Sequence, residues 1–247
     1  MPGFIKVAHR GASGNFPENT RLAFEKAIEA RVDMIELDCQ LSQDGHVVVF
    51  HDERLNRTTG ARGKVCDKTL EQLKKLDVGW WRKRAYKGER ILTLEQVLET
   101  VLGKVNLCID IKHFSRSPQG IELKLLFILS HYDYLDRTIL SSFDYRCLSR
   151  VRELAPESRV GVLFGSYVRE DPFEAARYLE ATSIHVQKEH ATREFLEKAW
   201  EEGLDVHVWT VNDVREMERF ASLGVQAIIS DWPERFWKLR QRGSSDY

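Results

Sequence analysis

Glu36 and Asp38 stand two residues apart in the apolar run MIELD (34–38), and Asp110 and Lys112 repeat that spacing at the end of the run that begins VNLCID (105–110). Side chains alternate faces along a strand, so residues i and i+2 point the same way. Inside a barrel, two carboxylates cannot both stay ionised without a cation nearby. One reading is an acidic pair at a strand mouth, hydrogen-bonded to loops. The other is a metal site. Three carboxylates from two neighbouring strands suit a hard, oxygen-seeking ion, Mg²⁺ or Ca²⁺, with positions left for water and a phosphate oxygen. Lys112 fits either a salt bridge to the acids or a clamp on a phosphate.

His9 and Arg10 follow the first apolar run, and His51 and Asp52 follow another, VVVF (47–50). A single histidine on a strand is usually a hydrogen-bonded core residue. Two of them at strand ends flanking a carboxylate cluster make an acid/base pair, because imidazole titrates near neutrality. Arg10 offers a planar fork for two phosphate oxygens. Two imidazoles, two cations and a divalent ion together describe a site for cleaving a phosphodiester.

Strand-like runs recur at 4–8, 34–38, 105–110, 137–141, 159–164, 183–186, 205–209 and 227–230, with helix-period stretches between them. Leu94, Val97, Leu98, Val101 and Leu102 form one apolar helix face. Asp213 and Glu216 open another helix like a capping box, and Gly224 is placed to end it. From Ser141 to Leu163, Val186, Trp209 and Ser230 the strand ends are spaced by 22, 23, 23 and 21 residues. This rhythm predicts an α/β fold, a (β/α)8 TIM barrel spanning 1–247 as one domain, with a doubly wound open sheet as the alternative. Asp44-Gly45 predicts a two-residue hairpin turn that would set Asp38 opposite His51. Residues 53–92, rich in Arg, Lys, Gly and Trp, read as an insertion on the face where barrels keep their active sites. The tail RQRGSSDY reads as frayed.

The 247 residues carry 37 Lys and Arg against 38 Asp and Glu, so no global field draws nucleic acid or an anionic surface. No apolar run is long enough for a signal peptide or a membrane span, which predicts a cytoplasmic protein without stable membrane insertion. Cys39, Cys66, Cys108 and Cys147 are far apart and read as free thiols.

The motifs HRG (9–11), PENT (17–20), ELDCQLSQDG (36–45), VVFHDE (48–53), RTTGARGKV (57–65), ILTLEQVL (91–98), SSFD (141–144), VWTVN (208–212) and SDWPE (230–234) occur in the order of the glycerophosphodiester phosphodiesterase family. From about residue 4 to 238 the chain resembles the short bacterial or archaeal form of that family. The resemblance implies a TIM barrel and metal-dependent hydrolysis of glycerophosphodiesters to sn-glycerol 3-phosphate and an alcohol. It implies His9 as general base and His51 as general acid, with Glu36, Asp38 and Asp110 holding the metal. Arg10 and Lys112 would contact the phosphate, and Phe143 and Trp209 would line the glycerol site. Asn19 reads as a helix cap supporting the Arg10 loop.

One position departs from the pattern. The family commonly has Glu-x-Lys on the third strand, where this chain has Asp110-Ile-Lys112. The shorter carboxylate draws the metal toward that strand or requires a bridging water. Related sphingomyelinase D-type phospholipases resemble the Asp version, although their disulfide-bearing secreted features are absent here.

Other histidines have plainer readings: His46 in the hairpin, His131 near a helix end and His207 on a strand. His113, His185 and His190 are candidates for the barrel mouth and the leaving group. The basic-aromatic run GWWRKRAYKGER (79–90) reads as an electrostatic or membrane-surface patch or, in the family context, as part of the insertion, with Trp80 and Trp81 able to cover substrate or form a homodimer contact. The competing functions are a lysophospholipase D, which needs an apolar groove beside the mouth, for which residues 79–90 are the obvious candidates, and a non-catalytic phosphate-binding barrel. Every expected catalytic position is filled, which counts against the second.

Overall fold

In a computed structural model, residues 3–114 and 119–239 are described; the RQRGSSDY tail (240–247) lies outside them. The strands are β1 (Ile5–His9), β2 (Met34–Leu41), β3 (Val47–Val49), β4 (Leu92–Thr93), β5 (Asn106–Ile111), β6 (Thr138–Ser142), β7 (Arg159–Phe164), β8 (Ser183–Gln187), β9 (Asp205–Trp209) and β10 (Ala227–Ser230). Eight of them pair in parallel in the order β1-β10-β9-β8-β7-β6-β5-β2, and β1 also pairs with β2. That last pairing closes the barrel, so the open-sheet alternative is excluded.

Alternation along the strands divides the molecule into two layers. Val7, Met34, Cys108, Ile139, Ala227 and Ile229 form an apolar plug inside the barrel. Neighbouring positions on the same strands, such as Ala8, Ile35, Leu37, Leu107 and Ile109, pack outward in the core shared with the helices. The helix Leu94–Val101 is capped by Thr93 with a full capping box and buries Leu94, Val97, Leu98 and Val101. Val214–Leu223 starts at Asp213 and ends at Gly224 with φ +90°. Glu216 does not close a box there, because its carboxylate is held by Lys188 at 2.7 Å.

The hairpin differs from expectation. Cys39 pairs with Val49 and Leu41 with Val47, and Ser42 N–H donates to the carbonyl of His46 at 3.0 Å. The turn therefore holds three residues, with Gly45 at φ +79°. The Asp44 carboxylate accepts from the Ser42 hydroxyl and from Leu70 N–H, which fixes the longer turn. Asp38 consequently lies opposite Phe50, whose N–H donates to its carbonyl at 2.9 Å, and His51 stands one residue beyond.

Residues 53–92 form short helices and turns around their own apolar cluster, Leu55, Val65, Leu73, Val78 and Ile91, joined to Val48 and Phe50 of the hairpin. The segment meets the loop after β1: Tyr86 donates its hydroxyl to the carbonyl of Asn15 at 3.2 Å, and Arg82 donates to that of Gly14. Among the described residues the cysteines are free, and no helix is long and apolar enough to cross a membrane.

Candidate active site

Strand register assembles the site. His9 pairs with Glu36, Glu36 with Cys108, Asp38 with Asp110, and Asp110 with Ser141, all on the inward-facing parity. At the end of β1 the chain turns sharply, with Arg10 at φ +55° and Gly11 at φ +78°. A Cβ on Gly11 would lie 2.7 Å from the carbonyl carbon of Ala23, so only glycine fits this turn. The turn aims the Arg10 N–H at Glu36 Oε2, 2.9 Å away.

The carboxylates of Glu36, Asp38 and Asp110 each offer an oxygen within 4.8 Å of the others, and all three are buried. Burial and the neighbouring Asp38 raise the Glu36 carboxyl to about 7. Burial likewise raises Asp110, against the pull of Lys112. For Asp38 burial is outweighed by Lys112 and Arg10, which hold its carboxyl far below the usual range. Lys112 Nζ lies 3.0 Å from Asp38 Oδ1 and 2.5 Å from Asp110 Oδ2. Arg10 Nε is 3.3 Å from Asp38 Oδ2, and its Nη1 donates to Glu18 at 3.0 Å. Asp110 Oδ1 is buried and accepts no hydrogen bond. An orphaned carboxylate oxygen among three acids is what a hard cation requires.

Both imidazoles are held from behind. His9 Nδ1 is 2.6 Å from Asp231 Oδ1, and His51 Nδ1 is 2.7 Å from Asp52 Oδ1. Burial opposes the charge of Asp231, but His9, Asn212 and Ser13 bring it down to about 2. Asp52 is fixed by the Arg57 guanidinium at 2.6 Å, which also grips Glu18 at 2.7 Å. Burial lowers the pKa of His51, only partly countered by Asp38.

A cavity of about 280 Å³ opens over these groups. His9, Arg10, Glu36, Asp38, His51, Asp110 and Lys112 form its polar side. Phe143, Leu163, Tyr167, Trp209 and Ile229 form an apolar wall, with the Phe143 and Trp209 rings edge-to-face at 5.9 Å. The two histidines, the three carboxylates, Arg10, Lys112, Phe143 and Trp209 therefore line one cavity. The molecule matches the glycerophosphoryl diester phosphodiesterase family over residues 9–235. It is 41% identical over 240 residues to a glycerophosphodiester phosphodiesterase of Caldanaerobacter subterraneus, covering 97% of this chain and 98% of that one.

The chain belongs to this family. It is a phosphoric diester hydrolase. Its fold is similar to a phosphodiesterase of Oleispira antarctica solved with the product sn-glycerol-3-phosphate, with TM-score 0.88, 28% identity and coverage of 95% and 96%. It is also similar to the glycerophosphodiester phosphodiesterase of Thermotoga maritima, with TM-score 0.77, 31% identity and coverage of 97% and 100%.

Several expectations need correction. Asn19 is not the cap of the helix Arg21–Glu29; Thr20 is. Asn19 adopts φ +57°, donates its N–H to the Arg10 carbonyl at 3.0 Å, and donates its amide to Asp38 Oδ2 at 2.8 Å. His113 is drawn to Asp144 at 3.0 Å and His190 to Ser166 at 3.1 Å, and neither lines the cavity. His185 does line it, but from within the barrel, fully buried, against Ser183 and stacked on His207 at 4.3 Å. Trp80 and Trp81 lie outside the cavity lining. Sequence reasoning assigned no role to Asp231, Asp52, Glu18, Arg57 or Tyr167. Asp231 was foreseeable, because closure of a barrel sets the last strand beside the first.

Proposed function

We propose that this chain hydrolyses glycerophosphodiesters to sn-glycerol 3-phosphate and an alcohol, with His9 as general base and His51 as general acid. The observation that carries this reading is the pair of carboxylate-held imidazoles lining the same cavity as three buried carboxylates. With Nδ1 engaged by Asp231, His9 presents Nε2 to a substrate hydroxyl. It takes the proton from the glycerol 2-hydroxyl as that oxygen attacks phosphorus. His51 gives its proton to the departing alcohol oxygen. Water then opens the cyclic phosphate with the roles reversed: His51 takes the water proton and His9 returns one to the 2-oxygen. No side-chain nucleophile is required, which accords with Cys108, whose thiol burial keeps protonated.

Arg10 and Lys112 would bind the phosphate oxygens, and Phe143 and Trp209 would hold the glycerol carbons. Glu36, Asp38 and Asp110 would hold one divalent ion, Mg²⁺ or Ca²⁺, and the orphaned Asp110 oxygen supports that assignment. When bound, such an ion polarises the phosphate and offsets its charge.

The test is release of glycerol 3-phosphate from glycerophosphocholine and glycerophosphoethanolamine, with EDTA, Mg²⁺ or Ca²⁺. Wild type should work only with metal, and His9→Ala and His51→Ala should each lose about a hundredfold or more. Asp110→Ala should raise the metal concentration needed. Metal binding without turnover of either diester would leave the site but overturn the substrate.

A second reading, lysophospholipase D, draws on the apolar wall of Leu163, Tyr167 and Ile229, which offers an acyl chain a path that residues 79–90 do not. Choline release from lysophosphatidylcholine, compared with glycerophosphocholine, decides between the two.

A further inference from the structure

Residues 53–92 carry twelve Lys and Arg against five Asp and Glu, a net +7 in a chain whose total is −1. Part of this charge is neutralised locally, through Arg57 with Glu18 and Asp52, Lys64 with Glu53, Lys75 with Glu71, and Arg90 with Asp77. Arg54, Arg62, Lys83, Arg84 and Lys87 are exposed and enter no ion pair among the described residues. In the same segment Trp80 is 53% exposed, with the Lys87 ammonium 5.9 Å from its ring. Trp81 is wedged between the Arg57 and Arg82 guanidiniums at 5.8 and 6.0 Å.

This face borders the active-site mouth. Arg57 holds Asp52, which holds His51, and the Tyr86 ring packs on Phe16 of the loop after β1 at 5.7 Å. An exposed indole among unpaired cations is the chemistry of a bilayer's polar boundary, where the ring sits at headgroup level and the cations meet anionic lipid. A second copy of the chain is a poor occupant, since a two-fold contact would press two basic faces together. An enveloping polyanion would meet the acidic remainder of the molecule, whereas a flat surface meets only this face.

We propose that this face docks the protein on an anionic lipid bilayer through Trp80, Lys83, Arg84 and Lys87, holding the barrel mouth beside the surface. The proposal goes beyond the hydrolase reading, and vesicle binding requires no turnover, so either can fail alone.

The experiment is co-sedimentation of the full chain with sucrose-loaded vesicles of phosphatidylcholine alone or mixed with phosphatidylglycerol, at about 50 and about 500 mM NaCl. Binding is expected only to the anionic vesicles, with release at high salt. Each cation is worth roughly fivefold in partition, so the triple variant Lys83→Gln/Arg84→Gln/Lys87→Gln should bind roughly a hundredfold more weakly. Trp80→Ala should weaken binding further. Turnover of soluble glycerophosphocholine by the triple variant should match wild type, which also reports its fold. Equal binding by variant and wild type, salt-insensitive binding, or no sedimentation with anionic vesicles overturns the proposal. Retention on a DNA or heparin column without vesicle binding overturns it as well.

Discussion

At the residue scale, the cluster of Glu36, Asp38 and Asp110 is held in a state that a cation would relieve. Burial and Asp38 raise Glu36 to about 7, so near neutrality it keeps a substantial share of its proton. A metal takes only the ionised form and must displace that proton. Titration with Mg²⁺ at pH 7 should therefore release protons, seen calorimetrically as an enthalpy that varies with the ionisation heat of the buffer. The dependence should fade at about pH 9, where Glu36 is already ionised. A buffer-independent enthalpy at neutral pH would place the ion elsewhere. The partners behind the imidazoles permit a second prediction. Asp231→Asn keeps the shape but loses the charge that orients the His9 ring, and should cost roughly a hundredfold in kcat with little change in KM. A kcat close to wild type would deny that Asp231 orients His9 for the proposed reaction. The acids and Lys112 were legible because period-two spacing put them on shared faces, and His9 and His51 because each follows an apolar run at a strand end. Asp231 went unassigned because it lies 222 residues from His9, and it becomes legible only once barrel closure is used to set the last strand beside the first.

At the element scale, strands and helices announced themselves through apolar runs and caps, while the hairpin register did not. Asp44-Gly45 fits a two-residue turn by composition, but bonds from the Ser42 hydroxyl and Leu70 N–H to the Asp44 side chain favour three residues. Leu70 belongs to the following segment, so local sequence carries no trace of that choice. The turn after β1 is more tightly determined. Gly11 combines φ +78° with Cβ clearance of only 2.7 Å to Ala23, in the same turn that holds Arg10. Gly11→Ala should destabilise the protein by about 2–4 kcal/mol, combining left-handed backbone strain with overpacking. Urea denaturation measures this directly. A loss below about 1 kcal/mol would show that the helix carrying Ala23 can move aside.

At the scale of the whole molecule, closure was legible from strand spacing, but the contents of the barrel were only half legible. The apolar plug followed from alternation. The stacked pair of His185 and His207 did not, because on strands β8 and β9 each reads as an isolated polar residue. Both rings are fully buried, and burial drives His185 far below its ordinary value and His207 down to about 3. An unfolded histidine takes up a proton near pH 6.5, so it binds the proton before the folded one does. Their contribution to stability is therefore complete above pH 6.5 and drains away as pH falls toward the folded values. At about pH 5 each ring should have cost about 2 kcal/mol. Glu36 and Asp110, with raised values, pull the other way in the same range, so total stability is a poor readout. The difference between wild type and His207→Leu isolates the imidazole, because the carboxylates are common to both. Between about pH 7.5 and pH 5 the unfolding free energy of wild type should fall about 2 kcal/mol more than that of the variant. Parallel pH profiles would mean that the barrel opens enough at acid pH to hydrate and protonate the pair without unfolding.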